Sequence, residues 1–223
     1  MKIVYWSDYA CPFCYIGERI LKQAFENLHA GSKLELTMKS FELDPTASKE
    51  VISGTPERFA KKYGLTLERA LARIESISEM GREAGIEFNY AATRYTSTLD
   101  AHRLTKLAQS KNNYAMTERL SENLYAAYFT KNLELANHDV LIKAGVDAGL
   151  DESEIKTLLE SNQYEQDVRL DEQEAYKTGI HSVPFFVVEN KYYISGAQSL
   201  EAMTETLKRG LDVNAFSCGP EGC

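Results

Sequence analysis

Two cysteines separated by two residues are the feature that most constrains this sequence. Cys11 and Cys14 follow a short apolar and aromatic run, Lys2 to Ser7, which predicts a buried strand. Pro12 stands where a helix would begin, because proline fits the first helical turn. The next residues, from Phe13 to Leu28, carry apolar side chains at helical spacing. The sequence therefore predicts that both cysteines lie at a strand-to-helix junction.

This position gives the pair a predicted chemistry. Unpaired backbone N–H groups and the helix dipole favour negative charge at the sulfur of Cys11. A second thiol one helical turn further on is close enough to resolve a mixed disulfide. We therefore predict thiol–disulfide exchange with protein or small-molecule thiol and disulfide substrates, in which Cys11 is the nucleophile and Cys14 the more buried resolving thiol.

Two other interpretations of the pair stay open. Cys218 and Cys223 would supply the two further ligands that a structural zinc site needs, which would make the chain a zinc-binding interaction module. Alternatively, Cys11 and Cys14 are inert core residues. Because neither pair has zinc-ribbon spacing on both sides and no histidine is near, redox chemistry is favoured and no metal is predicted.

Composition limits the partners and the compartment. The chain has 223 residues and a net charge of −8, which argues against a nucleic-acid partner because such a partner requires a basic patch. The sequence shows no signal peptide and no stretch as long as a transmembrane helix. We therefore expect no membrane partner and a cytoplasmic location, where structural disulfides are not expected.

The order of predicted elements indicates an α/β domain interrupted by helices. Residues 1–50 read as β-α-β with a parallel strand pair, 51–178 as an all-helical insertion, 179–212 as β-β-α, and 213–223 as a flexible tail. Helices are predicted at 56–63, 66–85, 99–110, 114–129, 138–149, 152–160, 163–178 and 200–209. Strands are predicted at 33–41, 184–189 and 192–195, the last two joined by a turn at Asn190-Lys191, and Asn137 and Asp151 are predicted helix caps.

A proline opens the first strand after the insertion. Pro184 precedes Phe185-Phe186-Val187-Val188, and proline is tolerated as the first residue of a strand. A trans proline at the strand start is one interpretation. The other, which we favour, is a cis Val183–Pro184 peptide bond, because this loop after a Cys-x-x-Cys pair resembles the loop that carries a cis-proline facing the reactive cysteine in thioredoxin-like folds. The backbone beside it would then pair with an extended substrate, a form of strand addition.

Several segments in this order resemble the DsbA-like thioredoxin family, and within it the FrnE-type branch of cytosolic oxidoreductases. The matching segments are Asp8–Gly17, Ser97–Leu104, Asn137–Leu141, Gly179–Phe186 and Ile194–Gln198. The resemblance implies a thioredoxin-like α/β fold interrupted by a large all-helical insertion. It also implies functional roles for Cys11, Cys14 and Pro184, and Pro12, Phe13 and Val183 are expected to face substrate with them.

The same resemblance leaves an alternative function. The family is also similar to kappa-class glutathione transferases and 2-hydroxychromene-2-carboxylate isomerases, which usually carry serine at the position of Cys11 and have no paired thiols. Because both thiols are present here, dithiol–disulfide exchange is favoured over a glutathione-dependent isomerase or transferase. No cofactor is expected, and glutathione as a reductant or co-substrate stays open.

The chain ends in a second close cysteine pair. Cys218 and Cys223 enclose Gly-Pro-Glu-Gly, which favours a tight turn and a small disulfide ring. We expect this secondary redox pair to exchange electrons with Cys11 and Cys14. The tail resembles that of some FrnE-type proteins, which have a second cysteine pair at Cys-x4-Cys spacing. An incidental or structural disulfide and a metal site are the alternatives.

Two further residues are candidate modulators of the cysteines. Asp8 precedes Cys11 by three residues, and its charge would influence the thiolate, although a loop cap or surface acid is the simpler expectation. His181 precedes Pro184 by three residues and would either face the site or contact solvent. His102 is expected to make a structural contact, and His29 and His138 to lie at helix ends.

Overall fold

Four strands form one mixed sheet in the order β2-β1-β3-β4. The structure is a computed structural model that describes residues 1–28 and 33–215. The strands are β1 (Lys2–Ser7), β2 (Glu35–Ser40), β3 (Phe185–Val188) and β4 (Tyr192–Ser195). β1 is parallel to β2 and antiparallel to β3, and β3 is antiparallel to β4. The predicted parallel strand pair is therefore confirmed.

Helices surround this sheet. All of the regular structure between β2 and β3 is helical. The helices are α1 (Pro12–Asn27), α2 (Thr55–Tyr63), α3 (Leu67–Glu83), α4 (Leu99–Ser110), α5 (Tyr114–Tyr125), α6 (His138–Ala148), α7 (Glu152–Leu159), α8 (Glu165–Lys177) and α9 (Leu200–Ala215). A π-helical turn, Ala126–Thr130, follows α5, and a short 3-10 turn covers Tyr90–Ala92. No helix in the described part of the chain has the length and apolarity needed to cross a bilayer.

The alternation of β1 places its side chains in two separate cores. Ile3 and Tyr5 are buried in the main core together with residues of α1, α9 and the helical insertion. Trp6 points to the opposite face of the sheet, where it packs in a smaller core with Ala175 of α8 and Ile180. Because successive residues of a strand face opposite sides of the sheet, β1 contributes side chains to both cores. The helical insertion packs against β1 in each of them.

Local capping signals predict several helix boundaries well. The Asn137 side chain accepts a hydrogen bond from the Asp139 N–H, and the Asp151 side chain accepts from Ser153 and Glu154. Both predicted caps are therefore confirmed. α6 ends at Gly149, whose φ of 103° is a left-handed conformation that glycine adopts without strain.

The prediction for the last helix is wrong at its C-terminal end. α9 continues to Ala215 instead of ending at Arg209, so residues 213–215 are helical and do not belong to a flexible tail. The predicted helix stops just before Gly210. In the structure this glycine is a buried helical residue, and a Cβ there would lie 2.8 Å from Cγ1 of Val188. The glycine therefore allows α9 to approach β3 closely.

The predicted hairpin turn is displaced by one residue. Glu189 and Asn190, with φ values of 50° and 54°, form the turn, and the Lys191 N–H donates to Val188 O at 3.0 Å. The pairing of buried Phe186 with buried Ile194 determines the strand register and hence the turn position.

The close approach at Gly210 leads to a stability prediction. In an open helix position, Gly→Ala raises stability by about 1 kcal/mol because alanine has the higher helix propensity. We expect Gly210→Ala to lower the free energy of unfolding instead, by about 1–3 kcal/mol, because the new methyl group overlaps Val188. Urea denaturation measures this difference, and Val188→Ala in the same chain should recover part of it. A stabilised Gly210→Ala variant would contradict the packing described.

Candidate active site

Cys11 is the N-cap residue of α1, as the sequence predicts. Its backbone is extended (φ −88°, ψ 114°), Pro12 occupies the first turn, and that turn contains no acidic residue. The Cys11 N–H donates to Asp8 O at 3.0 Å, and the Cys14 N–H donates to Cys11 O at 3.1 Å. The N-terminal end of the helix dipole is therefore available to a negative charge on the Cys11 sulfur.

Both cysteine side chains are buried, although an attacking thiol is expected to be accessible to its substrate. Cys11 is 3% exposed and Cys14 is fully buried. Burial raises the pKa of the Cys14 thiol well above its ordinary value, and the neighbouring Cys11 raises it further, against the opposing hydrogen bonds of Ser7 and the Asp8 backbone. Cys14 is therefore a protonated thiol at neutral pH, which agrees with the predicted difference between the two cysteines.

The loop before β3 faces the first cysteine. The Val183–Pro184 peptide bond is cis, and the Cys11 Sγ donates to Val183 O at 3.6 Å. Pro184 itself is buried, and a Cβ at Gly17 would lie 3.2 Å from its Cγ. The absence of a side chain at Gly17 thus lets α1 pack against this loop and hold Val183 beside the Cys11 sulfur.

A large groove opens beside Cys11. Its volume is about 1030 Å³, and it extends from the cysteine loop to α2, α3 and the turn at Tyr90. Pro12, Phe13 and Val183 line it, whereas Pro184 does not. Phe13 is 37% exposed, so its ring is accessible to a molecule bound in the groove. We refer to this feature as the Cys11 groove.

Asp8 is neither a surface acid nor remote from the site. It is 1% exposed and accepts hydrogen bonds from the N–H groups of Ala10 at 3.2 Å and Leu43 at 2.8 Å. Its Oδ1 lies 3.4 Å from Nε2 of His102. Burial by itself would raise the pKa of Asp8, but His102, the Leu43 N–H and the Thr98 side chain outweigh it and hold that pKa below its ordinary value.

The predicted structural role of His102 agrees with its surroundings. Its ring is fully buried and lies 5.2 Å from the ring of Tyr9, centroid to centroid. Arg103, the next residue on α4, donates to Asp100 at 2.6 Å and to Leu158 O at 2.5 Å, so it ties α4 to α7. Arg103 therefore connects two helices of the insertion with each other, and His102 connects the insertion with the loop that precedes Cys11.

Several other candidates lie away from the groove. His181 is exposed, and its ring lies 5.9 Å from that of Tyr176, outside the lining of the Cys11 groove. His138 begins α6, as expected. His29 and both tail cysteines, Cys218 and Cys223, lie outside the described residues. Within residues 1–28 and 33–215 no three His, Cys, Asp or Glu side chains are grouped to hold a metal ion.

Sequence reasoning missed the far wall of the groove. Arg58, Phe59 and Tyr90 line it together with further residues of α2 and α3. The segment Arg58-Phe-Ala-Lys-Lys-Tyr63 mixes basic and aromatic residues, which is the one local signal that could have indicated a binding surface. This segment lines the same groove as Cys11 because of the way the insertion packs against the α/β part of the chain. The spacing of apolar residues along the sequence does not predict that packing.

The buried Asp8 leads to a pH-dependent stability prediction. A carboxylate whose pKa is lower in the folded than in the unfolded chain stabilises the fold above the ordinary pKa of 3.8, and this contribution disappears as the pH falls through the folded value. We expect Asp8→Asn to cost about 1–3 kcal/mol at pH 7, with a smaller difference from wild type near pH 3. Urea denaturation at both pH values tests this. An equal loss at both would exclude the carboxylate charge as the cause, and Asp147→Asn, on an exposed helix face, is the matched control.

Comparison with known proteins places this geometry in a family. The sequence matches the DSBA-like thioredoxin domain over residues 2–208. It is 27% identical over 193 residues to the Bacillus subtilis protein YwbO, covering 84% of this chain and 86% of that protein.

Solved structures share the whole architecture. A probable DsbA oxidoreductase from Streptomyces coelicolor is 30% identical, with a TM-score of 0.88, over 100% of this chain and 98% of that one. The cytosolic disulfide reductase DsbM from Pseudomonas aeruginosa, solved with GSH, is 12% identical, with a TM-score of 0.63, over 97% of this chain and 98% of its own. This second likeness concerns the fold alone. The chain belongs to the DSBA-like thioredoxin domain family.

Proposed function

We propose that this protein is a dithiol–disulfide oxidoreductase that uses Cys11 and Cys14. One observation carries the proposal: Cys11 caps the N-terminus of α1 at the edge of a large groove, while Cys14 is buried one turn further on. This arrangement supplies an attacking thiolate and a protected second thiol, which are the two groups that the exchange reaction requires. Membership of the family supports the same chemistry.

The reductive direction proceeds in two displacements. The Cys11 thiolate attacks one sulfur of a substrate disulfide, so that a Cys11–substrate disulfide forms and the other substrate sulfur leaves as a thiolate. Cys14 then loses its proton and attacks the Cys11 sulfur, which releases the second substrate thiolate and leaves a Cys11–Cys14 disulfide. Two electrons pass from the protein to the substrate. The oxidative direction is the reverse, and the relative reduction potentials decide between them.

The loop at Val183 would position the substrate. Its carbonyl oxygen lies 3.6 Å from the Cys11 sulfur, so an extended segment that pairs with this backbone would bring its own sulfur close to Cys11. We propose that Pro12, Phe13 and Val183 contact this segment directly and that Pro184, buried against α1, fixes the loop. The Cys218–Cys223 pair is proposed to exchange electrons with the Cys11–Cys14 pair.

Glutathione is the second candidate for the substrate. The DsbM structure with GSH shows that this fold accommodates the tripeptide in one relative. We infer from this likeness that glutathione is either a reductant of Cys11–Cys14 or the co-substrate of a glutathione-dependent isomerase or transferase. The isomerase or transferase activity needs no second thiol and would survive Cys14→Ala, whereas the oxidoreductase activity would not.

The cytosolic relative supports a cytoplasmic location, which we propose for this protein.

Cysteine variants test the oxidoreductase proposal. In an insulin-reduction assay with dithiothreitol as electron donor, we expect Cys11→Ser to lower the rate to the uncatalysed background, since the nucleophile is absent. Cys14→Ser should accumulate a covalent Cys11–substrate disulfide, which non-reducing electrophoresis and mass spectrometry detect. The Cys218→Ser/Cys223→Ser variant is the control for the tail, and a lower rate there would support the proposed electron exchange. Equal activity of wild type and Cys11→Ser would contradict the proposal.

The raised pKa of Cys14 gives a second test. Iodoacetamide reacts with thiolates, so at pH 7 we expect alkylation of the reduced protein at Cys11 and not at Cys14, which burial keeps protonated. Peptide mass mapping of a Cys218→Ser/Cys223→Ser variant identifies the modified residue. Modification of Cys14 at a rate equal to that of Cys11 would contradict the assigned roles.

A further inference from the structure

The Cys11 groove has the opposite charge to the protein as a whole. The chain carries a net charge of −8, yet four cationic side chains and one carboxylate, Asp44, line this groove. The cations are Arg58, Lys61 and Lys62 of α2 and Arg73 of α3. A concave surface lined mostly by one sign of charge concentrates ligands of the other sign. The groove therefore favours an anionic occupant.

These four cations form no ion pair within the described residues, and Asp44 is the one carboxylate beside them in the groove lining. By contrast, Arg82, on the same helix as Arg73, is paired with Glu75 at 2.6 Å. The Asp44 carboxylate accepts hydrogen bonds from the N–H of Thr46 at 3.0 Å and from its hydroxyl at 2.7 Å. Four positive charges thus remain available at one wall of the groove.

Arg58 is the most constrained of them. Its guanidinium carbon lies 3.7 Å from the centroid of the Tyr95 ring, and its Nε is buried without a hydrogen-bond partner in the described part of the chain. A buried donor on a charged group costs free energy unless a partner satisfies it. Because Nε itself has almost no accessible surface, a ligand carboxylate in the groove would pair with the terminal guanidinium N–H groups, which present two parallel donors.

Arg58 lines the same groove as Cys11. Burial raises the pKa of Tyr90, the charges of Tyr128 and Cys11 raise it further, and the charge of Arg58 opposes them. Tyr90 is therefore within electrostatic range of both Arg58 and Cys11, and all three line the same groove. A molecule that contacts Arg58 would reach the Cys11 sulfur without leaving the groove.

The size and the apolar lining of the groove indicate a peptide chain. Its volume of about 1030 Å³ lies at the upper end of the range of about 300–1,000 Å³ that is usual for small-molecule sites, so it has room for several residues of an extended chain. Phe13, Phe59, Ile77 and Met80 add apolar surface between the cations and the cysteine. A segment with both apolar and acidic residues matches this lining better than a small, fully polar thiol does.

We propose that the Cys11 groove binds an acidic, partly apolar segment next to the disulfide of a protein substrate, and that Arg58 selects it by pairing with a carboxylate. Lys61, Lys62 and Arg73 strengthen the attraction from the exposed rim. The proposal deepens the proposed function and rests on it, because it concerns which disulfides Cys11 attacks.

Matched peptides test this selectivity. Each carries one cysteine as a mixed disulfide with uncharged 2-thiopyridine and differs only in two residues near the cysteine, which are Glu, Gln or Lys. Reduced protein with Cys218→Ser and Cys223→Ser reacts with each peptide in a single turnover, and thiopyridone release gives the second-order rate constant. We expect the Glu peptide to react about tenfold faster than the Lys peptide at low salt, with a smaller ratio at high salt because salt screens exposed charges.

Substitutions assign the ratio to the groove. Arg58→Gln should lower the Glu-to-Lys ratio at least threefold, and Arg58→Gln/Lys61→Gln/Lys62→Gln should bring it near one. Arg58→Lys should recover only part, since lysine lacks the planar two-pronged geometry. Lys143→Gln makes the same change of charge on exposed α6, outside the groove, and should keep the wild-type ratio. Circular dichroism confirms that each variant is folded.

The outcomes separate this proposal from the proposed function. Equal rates for the Glu and Lys peptides, or a ratio that survives the triple substitution, would overturn the groove proposal while leaving the oxidoreductase intact. Failure of every peptide to react faster than with Cys11→Ser would overturn the proposed function itself. If glutathione disulfide loses more than tenfold in rate with Arg58→Gln while the peptide ratio is unchanged, the groove serves a small thiol, and the acidic protein segment is excluded.

Discussion

The active-site architecture depends on the buried carboxylate of Asp8. This side chain accepts hydrogen bonds from the N–H groups of Ala10, in the cysteine loop, and Leu43, after β2. It also lies 3.4 Å from His102 in the helical insertion. Three parts of the chain that are distant in sequence therefore meet at the residue that precedes Cys11 by three positions. Because a buried carboxylate is stable only when its partners are in place, the conformation of the cysteine loop depends on the docked insertion.

The difference between the two thiols follows from the same local structure. Cys11 caps α1 and reaches the groove, while Cys14 lies within the helix against the Ser7 hydroxyl and has a raised pKa. In the proposed reaction, Cys14 has no disulfide to attack until Cys11 has formed one, and it must also lose its proton before it attacks. Burial along α1 therefore distinguishes the two thiols by their readiness to lose a proton.

The insertion contributes recognition as well as structure. Its helices α4 and α8 pack against the sheet and complete the core, whereas α2 and α3 stand beside the cysteine loop and form the far wall of the groove. Arg58 is placed there by α2, whose own helix signals are ordinary. The α/β part of the molecule carries Cys11, and the insertion supplies the basic and aromatic wall of the groove beside it.

Local patterns were sufficient for the elements and for the cysteine pair. The apolar and aromatic run of β1, the Cys11-Pro12-Phe13-Cys14 segment, and the caps at Asn137 and Asp151 each act within a few residues, so the sequence by itself determined the strand-helix-strand order and the position of Cys11 on α1. Gly210 reads as the residue after a helix end until β3 is seen beside it, and Asp8 reads as a surface acid until His102 covers it. The groove and its charge, likewise, exist only where Arg58 and Cys11, which are 47 positions apart in the sequence, come to line the same surface. Contacts between residues far apart in sequence decide these features, because burial and close packing depend on the neighbours in space and leave no periodic trace in the chain.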